Sequence, residues 1–179
     1  MFNIREVQEA ALKDALSAIA GPESAQAVVY GPEPEPDGVW VQNAMHRLET
    51  SFGREAVRQI RMRCQCGWAM EEKIALVRRL FAGTRSLEAF ANSNEARSVG
   101  LFAEAGRLYL QFESCPCPML ASVERLPSMT WCICTTGYSK VLFEQIFGCE
   151  VDIELLQAIK VGNECCLMRI EPKAAVWPE

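Results

Sequence analysis

The spacing of apolar residues changes halfway along the chain, and this change constrains the fold more than any other feature of its 179 residues. In the first half apolar residues recur every three or four positions, which is typical of amphipathic helices. In the second half they alternate with polar residues, as at Leu108, Leu110 and Phe112, which is typical of a half-buried strand. The sequence therefore predicts an α+β fold in which N-terminal helices pack on an antiparallel sheet.

The helical half divides at glycines and prolines. We predict a first helix over residues 2–20, the longest helix from Val39 to about residue 61, another over residues 70–81, and a shorter one after Thr84. Residues 21–38 contain four prolines and three glycines, so they are predicted to form an exposed connection that could serve as a lid.

The second half is predicted to contain two hairpins separated by a helix. Strands over residues 98–103 and 107–113 form the first hairpin, and a helix covers residues 137–147. Strands over residues 150–161 and 164–171, joined by a turn at Gly162 and Asn163, form the C-terminal β-hairpin. No boundary divides the chain, so we expect a single domain over residues 1–179.

Charge and hydropathy exclude two classes of partner. The formal net charge is -5 without a long basic run, which argues against nucleic acid because phosphate binding needs clustered Lys and Arg. No stretch approaches the roughly 20 apolar residues of a membrane helix. The first residues have an amphipathic pattern that differs from an export signal, so we expect a cytoplasmic protein without membrane contact.

The chain contains nine cysteines and one histidine. In a reducing compartment clustered cysteines indicate metal or redox chemistry more often than disulfides. In an extended chain the two side chains of a Cys-x-Cys pair point to the same side. The pairs lie at the predicted ends of helices and strands, and these ends could meet at one edge of the fold. The three pairs, which are the predicted metal ligands, are Cys64 with Cys66, Cys115 with Cys117, and Cys132 with Cys134.

Any two of these pairs would supply the four thiolates of a zinc ion or an iron-sulfur cluster. Soft thiolate ligands favour zinc, copper(I) or iron-sulfur over magnesium or calcium. We expect zinc, with an iron-sulfur cluster as the alternative. Thiol-disulfide chemistry and a role as small buried residues stay open for the same cysteines.

Cys134 is the candidate catalytic nucleophile, because the positive end of the predicted helix dipole favours a thiolate just ahead of it. Packing under Trp131 or ligation of a metal is the alternative. Cys149 has no partner at short spacing and is expected in the core. His46 is expected at the surface or in a structural hydrogen bond.

Two further groups of side chains could bind a small molecule. The arginines Arg47, Arg54, Arg58 and Arg61 could bind a carboxylate, although a solvated helix face explains them as well. Aromatic residues could line a cavity for a small hydrophobic molecule or simply form core. The candidate ligand-binding residues are Trp68, Tyr109, Phe112, Trp131 and Tyr138.

The run TTGYSKVLFEQIFGCEVDIELLQAIKVGNECCLMRIEP, residues 135–172, resembles the end of the 4-vinyl reductase domain family. The resemblance implies an α+β fold enclosing a pocket for a small hydrophobic molecule, and a sensing role. Some members hold zinc with cysteines around the final hairpin, and Cys165 or Cys166 matches that turn. Residues 151–161 supply no matching cysteine.

The pieces CPCP, residues 115–118, and WCICTTGY, residues 131–138, are similar to bacterial proteins of the L-2-amino-thiazoline-4-carboxylate hydrolase-like group. This second resemblance implies cysteine-assisted hydrolysis of a ring or amide, in which Cys134 or a bound metal activates the attack.

Three functions follow from these observations. The first is a domain of 4-vinyl reductase type that binds or senses a small hydrophobic ligand and carries a cysteine-bound metal. The second is an enzyme, either a hydrolase of a small cyclic amide or a redox protein. The third is an interaction module with a structural metal. A homodimer formed through the N-terminal helix is a further expectation.

Overall fold

A computed structural model describes residues 3–177. Within that range helices come first and a four-stranded antiparallel sheet with one long helix follows, which confirms the predicted α+β fold. The helices are α1 (Ile4–Ala20), α2 (Pro22–Val29), α3 (Asp37–Ser51), α4 (Arg54–Arg63), α5 (Met70–Phe81), α6 (Leu87–Ala91), α7 (Asn94–Ser98) and α8 (Cys134–Phe147). The strands are β1 (Leu101–Glu104), β2 (Arg107–Phe112), β3 (Val151–Gln157) and β4 (Cys166–Pro172).

Helix α1 begins and ends at residues suited to helix termini. The Asn3 side chain accepts hydrogen bonds from the backbone N–H groups of Arg5 and Glu6, which satisfies two free donors of the first turn. Gly21, with a φ of 84°, ends the helix. Residue 2, at which the first helix was predicted to begin, lies outside the described residues.

Part of the predicted exposed connection is a helix. Pro22 occupies the first turn of α2, where its fixed φ suits a helix and its missing N–H costs nothing. Ala25, Val28 and Val29 of α2 are buried against the other N-terminal helices. Only the segment between α2 and α3, which holds the other three prolines, is free of regular structure.

The prediction of one long helix from Val39 was wrong. The backbone is extended at Phe52 and Gly53, so the apolar stripe is divided between α3 and α4. The break turns α4 so that Val57, Ile60 and Arg61 are buried together. Periodicity did not reveal the break because the apolar spacing continues across it.

The strands pair in the order β1-β2-β4-β3, and every pair is antiparallel. The predicted hairpin of β1 and β2 turns at Ala105 and Gly106, both with positive φ, as a tight hairpin requires. Strands β3 and β4 also pair as predicted. The connection between β3 and β4 contains a short helical turn, Ile159–Val161, followed by Gly162.

Buried apolar residues form two clusters. The helical core contains residues of α1 to α4, Cys64 and part of the segment between β2 and α8. The sheet core contains residues of α5 to α8 and of all four strands. Helix α8 touches both, because Cys134 packs against the helical core while Leu142, Phe143 and Ile146 belong to the sheet core.

Among residues 3–177 no helix combines sufficient length with sufficient apolar character to cross a membrane.

Candidate metal centre

Each Cys-x-Cys pair lies where regular structure ends or begins. Cys64 and Cys66 follow α4, Cys115 and Cys117 follow β2, and Cys132 precedes Cys134, the first residue of α8. Cys64 is buried in the helical core. The cysteines of the other two pairs are partly buried and pack against that same core. The fold thus brings three segments that are distant in sequence to one region.

Mutual electrostatic influence on their pKa values indicates which thiols lie in the same region. Burial raises the pKa of the Cys132 thiol above its usual range, and four thiols raise it further: those of Cys134, Cys115, Cys166 and Cys117. Such influence requires short separations because charge interactions weaken with distance and screening. Cys132 therefore lies near the other cysteine of its own pair, both cysteines of the loop after β2, and Cys166 of β4.

Cys134 has a second set of thiol neighbours. Burial is the main cause that raises the pKa of its thiol to about 11, and the thiols of Cys117, Cys64 and Cys66 raise it as well. The guanidinium of Arg61 acts in the opposite direction and favours a thiolate. Cys134 is thus the point at which all three Cys-x-Cys segments meet.

Close contact between α4 and α8 produces this meeting. Gly137, in the first turns of α8, lies against the Met62 backbone: a Cβ at position 137 would be 1.8 Å from the Met62 carbonyl oxygen. Only glycine permits such an approach. The segment that carries Cys64 and Cys66 is therefore held beside the N-terminus of α8.

Arg61 is the charged group of this region. It is 0% exposed, and its Cζ lies 4.4 Å from the centroid of the Trp131 ring. Nε donates to the Thr130 carbonyl oxygen at 3.4 Å and Nη2 to that of Trp131 at 2.9 Å. Nη1 is buried without a hydrogen-bond partner. A cation thus lies next to the thiols of Cys64 and Cys134, whose pKa values it lowers.

Trp131 connects Arg61 to the loop after β2. Its Nε1 donates to the Cys117 Sγ at 3.4 Å, which favours a thiolate at Cys117. Burial is the larger influence and raises the pKa of the Cys117 thiol. The ring also packs edge-on against Trp40, with the two centroids 5.6 Å apart. Trp131 is therefore a core residue that also contacts the candidate site.

The thiols do not yet form a ligand set. Within the described part of the chain no group of three or more His, Cys, Asp or Glu side chains is arranged to hold a metal ion. All nine cysteines are free thiols. Raised pKa values keep Cys132 and Cys134 protonated near neutral pH, a state in which a thiol is a poor nucleophile. The nucleophilic role of Cys134 stays a prediction.

The remaining cysteines lie at different distances from this region. Cys166 begins β4, and its Sγ accepts a hydrogen bond from the Ile159 N–H at 3.4 Å. Cys165 donates its thiol hydrogen to Gln157 Oε1 at 3.3 Å. Cys149 follows Gly148 at the far end of α8, roughly 20 Å along the helix from Cys134. It is partly buried, so it is less enclosed than the predicted core position.

The five predicted ligand-binding aromatic residues lie in three parts of the described structure: the sheet, the helical core, and a contact between Trp68 and Tyr138. Trp68 is exposed, and its carbonyl oxygen accepts a hydrogen bond from the Tyr138 hydroxyl at 2.9 Å. Tyr109 stacks on Phe102 on the sheet, Phe112 packs against the sheet core, and Trp131 belongs to the helical core. Their predicted binding role stays a prediction.

Open grooves lie elsewhere on the described surface. One of about 500 Å³ is lined in part by Glu113, Cys115, Cys117, Lys160 and Glu164. Another of about 350 Å³ lies between the start of α1 and the proline-rich segment before α3. None of the five predicted ligand-binding aromatic residues lines either groove. The first groove gives solvent access to one Cys-x-Cys pair.

The predicted surface residues are divided. His46 is exposed, as expected. Arg54 and Arg58 are also exposed, whereas Arg61 is fully buried, so the arginines do not form one solvated face. Arg47 is partly buried and pairs with Glu35 at 3.5 Å. These four arginines therefore do not form one surface that could bind a carboxylate together.

Sequence reasoning missed three residues of the site. The sequence grouped Arg61 with exposed arginines. In the short helix α4, however, its spacing from Val57 and Ile60 places it on the buried side. Gly137 gave no local signal of a close backbone approach. Cys166 was separated from the Cys-x-Cys pairs because its proximity depends on the pairing of β2 with β4.

Comparison with known protein families identifies the family of the chain. The model of a family of unknown function (DUF6144) matches residues 1–177, and the chain belongs to that family. No curated protein matches the chain.

This match corrects both resemblances inferred from the sequence. The family that matches residues 1–177 is one of unknown function, so neither the resemblance to the 4-vinyl reductase family nor that to the hydrolase-like group is supported. The resemblance to the 4-vinyl reductase family rested on the order of elements at the C-terminus: a helix, a glycine, a strand, a turn and a last strand. Many α+β domains share this order, because it is a simple way to cover a hairpin with a helix. The short motifs CPCP and WCICTTGY were insufficient to establish membership of the hydrolase-like group.

Proposed function

We propose that this member of the DUF6144 family holds a thiolate-bound metal centre between the end of α4, the loop after β2 and the start of α8. The observation that carries the proposal is the meeting of three Cys-x-Cys segments at Cys134, beside the buried cation of Arg61. Thiolates and a neighbouring positive charge stabilise one another, whereas an apolar core would contain neither.

The ligands of the proposed centre are the thiol of Cys134 and its three thiol neighbours, those of Cys64, Cys66 and Cys117. Four thiolates satisfy the tetrahedral preference of zinc and equally the four iron atoms of a cluster. Zinc is the first candidate and an iron-sulfur cluster the second. Cys132 is influenced electrostatically by Cys134, Cys115 and Cys117, so Cys115 and Cys132 are proposed as substitutes for one member of this set.

Binding requires local movement because the thiols are not arranged around one point. Cys66 and Cys117 lie outside helices and strands, where rotation about χ1 and small backbone shifts are least restrained. Cys64 and Cys134 are held by the contact at Gly137. The proposed ligand set thus consists of two thiols held by the contact between α4 and α8 and two thiols on loops.

The chemistry of the centre follows from the metal. Zinc held by four thiolates would stabilise the fold, while an iron-sulfur cluster would transfer electrons. In either case the chain must release the protons of its buried thiols when the metal binds. Arg61 and the Trp131 N–H would then face thiolates.

Metal analysis of protein purified without oxygen tests the proposal. We expect about one zinc per chain and no colour, or several irons with broad visible absorption. Cys66→Ser and Cys134→Ser should each lower the metal content at least several-fold. Cys149→Ser is the matched control, since it removes a partly buried thiol at the far end of α8, and it should retain the metal.

Two results would overturn the proposal. One is wild-type protein without metal that also fails to take up zinc, or a reconstituted cluster, after reduction. The other is equal loss of metal in all three variants, because that would indicate a general effect of cysteine substitution rather than a site at Cys134.

A further inference from the structure

We propose that strand β3 binds an extended segment of a partner protein, in which basic and apolar residues alternate, by adding that segment to the sheet as a further strand. The inference does not depend on the proposed metal centre. It follows from the backbone groups that β3 leaves unpaired and from the charges beside them.

The hydrogen bonds around β3 show which of its backbone groups face away from the sheet. The Lys173 N–H donates to the Glu150 carbonyl oxygen at 2.8 Å, so the backbone of Glu150 faces the chain of β4. In an antiparallel pair the bonded positions alternate, so Ile153 and Leu155 direct their N–H and C=O groups outward. No loop or side chain among residues 3–177 bonds these outward groups.

This open stretch is closed at both ends. Val151 also faces outward, but Lys140 Nζ donates to its carbonyl oxygen at 2.7 Å, and its N–H donates to Glu144 Oε1 at 3.3 Å. After Leu155 a bulge shifts the pairing with β4, and bulges interrupt regular pairing. The open edge, by which we mean the outward N–H and C=O groups of Ile153 and Leu155, thus offers two donors and two acceptors.

The opposite edge of the sheet is covered. Strand β1 has four residues, and helices α6 and α7 pack against it. The N–H of Ala103 in β1 donates to Asn92 Oδ1 at 3.1 Å. Unpaired edge groups are already aligned to pair with another strand, which is how sheet edges bind extended peptides. The open edge of β3 is therefore the place where a strand can be added.

Acidic side chains line the exposed face of β3. Those of Glu150, Asp152 and Glu154 alternate along the chain and are 72%, 52% and 56% exposed. Lys173 and Arg169 pair with Asp152 and Glu154 from the side of β4. A strand added at the open edge would place every second side chain opposite these carboxylates from the other side. Basic residues suit those positions.

A second copy of the chain suits this edge poorly. If Ile153 paired with itself across a two-fold axis, Asp152 would lie opposite Glu154, and if Ile153 paired with Leu155, Glu154 would lie opposite itself. Like charges directly opposite one another destabilise strand pairing, whereas opposite charges stabilise it. The intervening residues of the added strand face the side of the sheet that α8 covers, where Leu155 is only partly buried, so apolar residues suit them.

Binding of acetylated heptapeptides to the complete chain, followed by NMR at low ionic strength, tests the proposal. One peptide alternates lysine with valine, and a second alternates glutamate with valine. Two more are the lysine–valine peptide N-methylated either at its valines or at its lysines. The valines lie opposite Ile153 and Leu155, so methyl groups on their nitrogens block the hydrogen bonds to β3, whereas methyl groups on the lysine nitrogens point away.

We expect the lysine–valine peptide to bind and the glutamate–valine peptide to bind about tenfold more weakly. N-methylation should abolish binding at the valines and preserve it at the lysines. Amide hydrogen exchange of Ile153 and Leu155 should be fast in the free protein and slow with the lysine–valine peptide, while Asp152 and Glu154, which face β4, exchange slowly in both.

Variants of the protein test the charge argument. Asp152→Asn combined with Glu154→Gln should weaken binding of the lysine–valine peptide about fivefold, because two pairs of opposite charges are lost. Glu171→Gln is the matched control. Glu171 is an exposed carboxylate on the same face, and it lies opposite Asp152 on β4, one strand away from the open edge. This variant should change the affinity by less than about twofold.

The proposal would be overturned if the lysine–valine peptide did not bind, or bound equally well with N-methylated valines. Unchanged exchange at Ile153 and Leu155 on addition of the peptide would also overturn it, as would equal losses in the double variant and in Glu171→Gln. Protection of these two amides in the free protein that increases with protein concentration would place a second copy at the edge instead of the basic segment. None of these results depends on metal content, so they leave the test of the metal centre separate.

Discussion

At the scale of single residues, burial determines the state of the thiols. Desolvation disfavours the charged form of a cysteine and is the largest cause of the raised pKa values of Cys64, Cys117, Cys132 and Cys134. Arg61 and the Trp131 N–H oppose it. The thiols are therefore protonated at neutral pH. The positive charge of Arg61 is insufficient to ionise them there, whereas a bound metal ion favours the thiolate more strongly.

The raised pKa of Cys134 predicts a pH dependence of stability in metal-free protein. The unfolded chain loses this proton near the ordinary value of 9.0, whereas the folded chain keeps it up to about pH 11. Between these values the unfolded state binds fewer protons, so the free energy of unfolding falls as the pH rises, by on the order of 2 kcal/mol. Below pH 9 this contribution is fully present.

Urea unfolding at pH 8 and pH 10.5, with chelator and reductant, measures this loss. In Cys134→Ser the decrease should be clearly smaller, although the other buried thiols and Tyr138, whose pKa is also raised, keep part of it. Parallel decreases in the two proteins would contradict the assignment of a raised pKa to Cys134.

At the scale of elements, the contact between α4 and α8 positions the candidate site. It depends on Gly137, where any side chain would meet the Met62 carbonyl. Because the neighbouring atoms are backbone, the helices themselves must separate to admit a methyl group.

Gly137→Ala should therefore lower the free energy of unfolding by about 2–4 kcal/mol, and it should also lower zinc affinity because it separates Cys64 from Cys134. Gly53→Ala is the control: a Cβ there meets nothing within 4 Å, and the backbone φ of -66° suits alanine. Its effect should stay within about 1 kcal/mol. Urea denaturation of both variants checks the difference, and equal effects would show that the close approach is not limiting.

The elements that sequence predicted well are those with a strict local pattern. The alternation in β2 and the positive-φ turn at Gly106 depend on neighbouring residues only, and both are present in the structure. The division of α3 from α4 was missed because Phe52 continues the apolar spacing while its backbone is extended. Helix α2 was missed because the proline content of the surrounding segment obscured Ala25, Val28 and Val29.

At the scale of the whole molecule, the candidate site lies where the helical core meets the sheet core. Helix α8 contributes Cys134 to one and Phe143 to the other, and the loop with Cys117 connects β2 to the helical core. A metal bound at Cys134 would therefore join the two halves. Stabilisation by such a link arises because metal binding is coupled to folding.

The sequence could identify the three Cys-x-Cys pairs but not how they are arranged in space. The recurrence of Cys-x-Cys identified the three pairs, since that signal is local. The contact of Gly137 with Met62 and the burial of Arg61 depend on how helices pack, which no spacing within one segment encodes. The same limit explains why the five aromatic residues, each plausible alone, are divided among the sheet, the helical core and the contact between Trp68 and Tyr138.

The most direct measurement of the central claim is X-ray absorption spectroscopy at the edge of the bound metal. We expect a first shell of about four sulfur atoms, at about 2.3 Å for zinc, that loses sulfur in Cys134→Ser and is unchanged in Cys149→Ser. A first shell of nitrogen and oxygen atoms would contradict the account, as would sulfur ligation that is the same in both variants.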